Sequence, residues 1–107
     1  MGFYSKDGYY IATRITGPWH NFLGLMFSND AVPADSVVVD VVQEERFRID
    51  LAQIKREVMA GVESINEKYG TKYHVSGIRA FSDDSPTLGV YEYLTVCIVS
   101  RLFKISE

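Results

Sequence analysis

The feature that most constrains the fold is an amphipathic segment in the middle of the chain. Its apolar side chains recur at spacings of three and four and form a single stripe, made of Leu51, Ile54, Val58, Val62, Ile65 and Tyr69. Asp50 stands where an N-cap is expected, with Gln53 three residues later as in a capping box, and Gly70 stands where a left-handed residue ends a helix. The sequence therefore predicts a helix between Asp50 and Gly70. Because glycine costs about 1 kcal/mol relative to alanine inside a helix, Gly61 predicts close contact of this helix with the sheet.

Four other segments have the β-branched and aromatic composition that is typical of strands: residues 9–15, 22–28, 37–43 and 73–81. Turn and loop residues at 17–18 and 28–36 separate the first three. Residues 86–103 leave two readings open. Their Val, Ile and Tyr content favours a strand, whereas Ser85 as a cap and Pro86 at the first helical position favour a helix. We prefer the helix, because a strand of that length would be unusual.

The resulting order of elements, β-β-β-α-β-α, predicts an α+β fold. In this fold a single, mostly antiparallel sheet of about four strands carries two helices on one face. A chain of 107 residues has room for one domain, so residues 1–107 are interpreted as a single unit. With both helices on one face, the other face of the sheet is left for solvent or for a partner.

Composition and the first residues bear on localisation. No apolar run approaches the ~18 residues that a membrane span requires, and the amino-terminal residues lack the basic-then-apolar order of a signal peptide. The single cysteine, Cys97, has no partner for an internal disulfide, which fits a reducing compartment. We expect a cytoplasmic protein that does not bind a membrane.

No combination of residues has the spacing of an active site. Cys97 lies in an apolar run, where a thiol is inert, and nucleophilic catalysis would require it to lie beside His20 or His74. The histidines and the cysteine lack the spacing of a zinc site, and no glycine-rich phosphate loop occurs. We therefore expect no catalytic residue, no metal, no cofactor and no enzymatic activity. A small enzyme stays an alternative, and it requires a His or Cys with a perturbed pKa in a cleft.

Charge is distributed unevenly along the chain. The formal net charge is −3, yet residues 15–45 contain no Lys or Arg, and their acidic residues are Asp30, Asp35, Asp40, Glu44 and Glu45. Asp40 interrupts a run of valines, so its face of the sheet should not be covered by the helices, under which an unpaired charge would be costly. Two readings stay open: a solvated surface that keeps the protein soluble, or a docking surface for a basic partner. The acidic balance argues against nucleic acid as the partner.

Trp19 is the only tryptophan, and it lies beside the predicted turn at residues 17–18. Its ring either folds onto the end of the sheet, with Asn21 stabilising the turn, or is an exposed aromatic anchor at a protein interface, where tryptophan is enriched. We retain Trp19 as a candidate partner-binding residue beside the five carboxylates.

Two segments of the chain resemble a known class of proteins. Residues 17–25, GPWHNFLGL, resemble the amino-terminal segment of small immunity proteins that are encoded beside bacterial polymorphic toxins, including those of contact-dependent growth inhibition systems. Residues 81–86, FSDDSP, followed by YEYL at 91–94, are similar to the polar turn and Tyr-x-x-Leu ending of some of these proteins. The resemblance implies a cytosolic antitoxin that binds one cognate toxin domain and blocks its active site or substrate-binding surface. Many such toxins are nucleases with basic clefts, which the acidic stretch would suit.

We therefore expect a non-enzymatic immunity protein that occludes a cognate toxin domain, through an acidic surface that meets the basic groups of the toxin. The candidate partner-binding residues are Trp19, Asp30, Asp35, Asp40, Glu44 and Glu45. The alternative is a small-molecule-binding or regulatory domain, with Tyr9, Tyr91 and Tyr93 lining a pocket between the helices and the sheet. The oligomeric state is left open.

Overall fold

The computed structural model describes residues 1–16, 19–33, 36–42, 50–81 and 89–103, without the side chains of residues 15, 16, 19, 20 and 42. These residues form five strands and two helices: β1 (Gly2–Lys6), β2 (Tyr9–Thr16), β3 (Trp19–Ser28), β4 (Val38–Val42), α1 (Leu51–Tyr69), β5 (His74–Phe81) and α2 (Val90–Leu102). In the described part of the chain, no helix is long and apolar enough to span a membrane.

The strands form one sheet in the order β1-β2-β3-β5-β4. Three of the four neighbouring pairs are antiparallel, and β4 runs parallel to β5. A parallel pair needs a long crossover connection, which α1 provides between β4 and β5. The predicted α+β fold is confirmed, with five strands in place of about four.

The additional strand, β1, is joined to β2 by a turn that has a sequence signal. Asp7 and Gly8 have φ angles of 55° and 84°, and Lys6 pairs directly with Tyr9. Two residues with positive φ between paired strands make a type I′ hairpin turn, for which Asp-Gly is a preferred sequence. The sequence of the strand itself gives little indication of a strand, because Phe3 is the one residue of β1 that is partly buried and the other four are exposed.

Both helices cover the same face of the sheet. α2 lies against β2 and β3, while α1 lies against β5 and α2. The pairing places Leu23 opposite Ala80 and Leu25 opposite Ile78, so these four side chains point to one side. They form a buried cluster with apolar side chains of the helices: Ile54, Val58, Val62, Val90, Tyr91, Leu94 and Ile98. The predicted placement of two helices on one face is confirmed.

The ends of α1 form largely as predicted. The Asp50 carboxylate accepts two backbone N–H groups of the first turn, at 2.9 and 3.3 Å. Gly70 has a φ of 65° and donates its N–H to a carbonyl of the last turn. The second half of the predicted capping box is wrong, because the Gln53 amide donates to Glu57 at 2.7 Å instead of returning to the cap.

Gly61 brings α1 close to α2. A Cβ at this position would lie 2.9 Å from the Thr95 Cβ and 3.0 Å from the Glu92 carbonyl oxygen, and both residues belong to α2. The predicted close contact exists, but the predicted partner, the sheet, is wrong, because α2 faces this turn of α1.

The helical reading of the last segment is confirmed for α2, whose N-cap is Gly89, with a φ of 85°. The predicted cap Ser85 and the predicted first helical position Pro86 lie outside the described residues. Gly89 has no side chain that could cap the helix, and the Glu57 Oε1 of α1 accepts the backbone N–H of Tyr91 at 3.1 Å. A carboxylate at this position also offsets the partial positive charge of the helix amino end. α1 therefore caps α2.

Candidate functional site

The face of the sheet opposite α1 and α2, here called the helix-free face, carries the candidate site. Strand pairing assigns to it the residues that alternate with the core, which include Tyr4, Lys6, Tyr9, Ile11, Thr13, Phe22, Gly24, Met26, Val38, Asp40, Gly77, Arg79 and Phe81. Its two edges expose Tyr4 on β1 and Val38 on β4, whereas Ile11 near the middle is 2% exposed. The predicted position of Asp40 opposite the helices is confirmed by this pairing.

Four residues on this side of the sheet form a charged and aromatic group, here called the Arg79 cluster: Asp7, Tyr9, Asp40 and Arg79. Arg79 donates from Nε to the Asp40 Oδ2 at 3.0 Å and from Nη1 to the Asp7 Oδ2 at 3.1 Å. Its Cζ lies 4.4 Å from the centroid of the Tyr9 ring, which is a cation–π distance. One arginine side chain thus links β5 to β4, to β2 and to the β1–β2 turn.

A glycine in the strand between them allows Arg79 and Tyr9 to meet. Gly24 of β3 pairs with Arg79, and β3 separates β5 from β2 in the sheet. A Cβ on Gly24 would lie 3.0 Å from the Arg79 Cβ and 3.4 Å from the Tyr9 Cβ. Any side chain here would stand between the arginine and the tyrosine, so the cluster depends on the absence of one.

The two carboxylates approach Arg79 from opposite sides. Asp40 is the direct pairing partner of Arg79 in β4, and Asp7 is the first of the two central residues of the type I′ turn. The sequence separations are 39 residues for Asp40 and 72 for Asp7. Sequence reasoning missed Asp7, Tyr9 and Arg79 as members of one site. The signal that exists is Asp40 itself, since a carboxylate inside a valine strand calls for a cation on the neighbouring strand.

The cluster combines a largely buried cation with two accessible anions. The Arg79 side chain is 14% exposed, whereas those of Asp40 and Asp7 are 46% and 61% exposed. Burial by itself would lower the pKa of Arg79, but the hydrogen bonds and negative charges of Asp7 and Asp40 outweigh it and raise the pKa above its ordinary value. The guanidinium therefore stays charged wherever the protein is folded. Within the described contacts, each carboxylate uses Oδ2 for Arg79 and keeps Oδ1 for another donor.

The structure describes three of the six predicted partner-binding residues. Asp40 is half-exposed and paired with Arg79. Asp30 is exposed in the bend after β3, where its carbonyl accepts a hydrogen bond from the Ser28 hydroxyl at 2.6 Å. Trp19 begins β3 opposite Thr16, and its side chain lies outside the described part. The predictions for Asp35, Glu44 and Glu45 fall outside the described residues.

Asp30 and Asp40 do not lie together. Asp30 follows Ser28, which pairs with His74 at the start of β5, while Asp40 pairs with Arg79. These two positions on β5 are about 16 Å apart at the ordinary rise of a strand. The acidic stretch therefore does not form one continuous patch through these two carboxylates, and Asp7 is the acidic neighbour of Asp40.

The tyrosines of the alternative reading are separated by the fold. Tyr9 lies on the helix-free face, under Arg79. Tyr91 is buried in the core at 2% exposure, and Tyr93 is half-exposed with the Arg14 guanidinium over its ring. The three residues do not line a common pocket between the helices and the sheet, so this part of the alternative is wrong.

The candidate catalytic and metal-binding residues belong to different elements. Cys97 is half-buried in α2, and His74 begins β5; the side chain of His20 lies outside the described part. Within the described residues, no group of three or more His, Cys, Asp or Glu side chains could hold a metal ion.

Comparison with known proteins identifies no relative of this chain. No protein-family model matches the chain, and neither a curated protein nor a solved structure matches it significantly.

Proposed function

We propose that the chain is a non-enzymatic immunity protein, which binds a cognate bacterial toxin domain in the cytoplasm and occludes it through the helix-free face. The toxin we expect is a nuclease with a basic cleft. The observation that carries the proposal is the Arg79 cluster, in which two part-exposed carboxylates are held on the sheet by one largely buried guanidinium.

The cluster supports this function because its acceptors are fixed before a partner arrives. Arg79 holds Asp7 and Asp40 through hydrogen bonds between charged groups, which are shorter and stronger than neutral ones. The uncommitted Oδ1 atoms can accept Lys or Arg side chains of a partner without a further loss of side-chain freedom. Preorganisation of this kind raises affinity by lowering the cost of ordering the interface.

The local charge is close to balanced. Asp7 and Asp40 outnumber Arg79 by one, and Lys6 on the same face is exposed. A basic partner is therefore recognised by the fixed positions of two carboxylates, with the acidic stretch of residues 15–45 adding long-range attraction.

The test is a titration of the chain with the variable carboxy-terminal domain of the secreted toxin that is encoded beside it, inactivated by mutation. The double variant Asp7→Asn and Asp40→Asn removes two negative charges with little change of shape. We expect binding about tenfold weaker, or about 1.4 kcal/mol. Added salt should weaken the wild-type complex, mainly through the association rate.

A matched control is available on α1. Glu63→Gln with Glu67→Gln removes the same number of charges from exposed positions on the opposite side of the molecule, and affinity should stay within about twofold. An equal loss of affinity in both double variants would mean that the net charge of the chain alone attracts the toxin domain. No loss in either, or no complex with the adjacent toxin domain, would contradict the proposal.

The predicted site outside the described residues has its own test. Asp35→Lys with Glu44→Lys should weaken the complex without lowering the melting temperature, because both carboxylates are expected to meet basic groups of the toxin. Unchanged affinity would show that Asp35 and Glu44 lie outside the interface, and the Arg79 cluster would then supply the acidic part of the interface.

A further inference from the structure

A second surface, on the opposite face of the sheet from the Arg79 cluster, follows the carboxyl half of α2. Two depressions of about 300 and 440 Å³ adjoin each other there and share Tyr10 and Leu102 in their walls. The first lies between α2 and the β1–β2 hairpin, and the second lies beside the start of β5. We call the pair the α2 groove. Each half is as large as the smaller ligand sites of proteins, but both are open along the surface.

The floor of the second half is aromatic. The Tyr73 and Phe103 rings stack with centroids 4.0 Å apart and planes inclined by 16°. The Phe27 ring meets Phe103 edge-on at 5.4 Å, and Tyr10 lies 6.3 Å from Phe27. Tyr10 and Phe103 are 41% and 38% exposed, so ring surface is accessible to a partner. Such rings are the usual anchors of protein interfaces.

The charged residues that line the described part of the α2 groove are basic, although the chain as a whole is acidic. Arg101 lines the first half, and Lys72 and His74 line the second, while no Asp or Glu of the described residues lines either half. Arg101 is exposed and rests on the Phe3 ring, with its Cζ 4.6 Å from the ring centroid. The carboxyl end of α2 contributes roughly half a negative charge, which the full charges of Lys72 and Arg101 exceed.

From this complementarity we infer that the α2 groove binds an extended acidic peptide segment of a protein partner, with an aromatic side chain seated on Tyr10 and Phe103. Two adjoining open halves suit an extended peptide, and Lys72 and Arg101 suit carboxylates at its flanks. Single-stranded nucleic acid also combines anions with stacking rings, but it needs a continuous basic track. Two Lys or Arg residues on a chain of net charge −3 do not provide that track.

The test is fluorescence anisotropy with a labelled peptide of about twelve residues, enough to span the groove when extended. It contains glutamate, aspartate and glycine with two tryptophans. We expect saturable binding that Lys72→Glu and Arg101→Glu each weaken at least about fivefold and that Phe103→Ser also weakens. Arg56→Glu, at an exposed position of α1, is the matched control and should leave affinity within about twofold.

Two further probes make the inference falsifiable. A peptide with lysine in place of every acid, and one with alanine in place of both tryptophans, should bind at least about tenfold more weakly. Equal binding of the lysine peptide, tighter binding of an oligothymidylate, or unchanged affinity in both charge-reversal variants would overturn it. Melting curves identify any variant that fails to fold. If Phe103→Ser does not fold, the charge reversals Lys72→Glu and Arg101→Glu still decide the question. Failure here leaves the proposed toxin complex untouched, because the Arg79 cluster lies on the other face of the sheet.

Discussion

The two faces of the sheet are stabilised by different physics. The face under α1 and α2 is held by a continuous apolar cluster, in which Leu23, Leu25, Ile78 and Leu94 have no solvent exposure. The opposite face is organised by one arginine that bridges two carboxylates and a tyrosine. The helix-covered face therefore contains the continuous apolar cluster, whereas the helix-free face presents polar groups that Arg79 holds in place.

The largest expected effect lies on the helix-covered face. Leu94→Ala should lower the free energy of unfolding by about 3–4 kcal/mol, because it removes a buried side chain and leaves a cavity between α2 and the sheet. Urea denaturation measures the change. The matched truncation on the helix-free face, Val38→Ala, should cost less than about 0.5 kcal/mol, since Val38 is exposed. Similar losses of unfolding free energy in Leu94→Ala and Val38→Ala would show that the two faces contribute equally to stability.

The next effect concerns the bridging arginine. Arg79→Met keeps the aliphatic stem over Gly24 but removes both charged hydrogen bonds, so it should cost about 1.5 kcal/mol. Added salt should reduce the difference in unfolding free energy between Arg79→Met and wild type, because the carboxylates are part-exposed and salt screens their attraction to Arg79. Arg56→Met, at an exposed position of α1, serves as control and should change stability by less than about 0.5 kcal/mol. If Arg79→Met left the free energy of unfolding unchanged, the Arg79 cluster would not stabilise the fold.

A smaller effect is expected at the contact between the helices. Gly61→Ala gains about 1 kcal/mol of helix propensity, but the new Cβ meets Thr95 and the Glu92 backbone at 2.9 and 3.0 Å. Overpacking of this kind costs about 1–3 kcal/mol, so we expect a net loss of about 1 kcal/mol in thermal denaturation. Ser64→Ala, at an exposed position of the same helix, should be neutral or slightly stabilising. Stabilisation by Gly61→Ala would show that α2 moves away at little cost.

The smallest effects separate the two carboxylates. Asp40→Asn should cost slightly more stability than Asp7→Asn, each below about 1 kcal/mol, because Asp40 is the less exposed partner of Arg79. Double-mutant cycles with Arg79→Met should give a coupling of about 0.5–1 kcal/mol for each pair. If the losses of unfolding free energy in the single variants simply added in the double variants, the hydrogen bonds of Arg79 to Asp40 and Asp7 would contribute nothing to stability.

The helix-covered face could be predicted from sequence because its determinants are local and periodic. The apolar stripe, Asp50 and Gly70 predict α1 and its ends, and all three perform their predicted roles. The helical reading of α2 is also correct, although its cap comes from Glu57 on α1, 34 residues from the Tyr91 N–H that it accepts. A capping partner on another helix leaves no local pattern.

The helix-free face could be predicted only in outline. Asp40 in a valine strand indicates an uncovered face, and this inference is correct. Its partner could not be identified, because the pairing of β4 with β5 in parallel depends on the whole topology. The Asp7-Gly8 turn does carry a local signal for a hairpin, yet nothing local indicates that Asp7 meets Arg79, 72 residues away.

The most direct test of the proposed function is an NMR titration of the isotope-labelled chain with an inactivated form of the proposed partner, a toxin domain. We predict that the largest amide shifts occur at Asp7, Gly24, Asp40, Gly77 and Arg79, while the exposed side of α1 at Glu63 and Glu67 shows none. Shifts confined to α1 or to the α2 groove, with the helix-free face unchanged, would contradict the account.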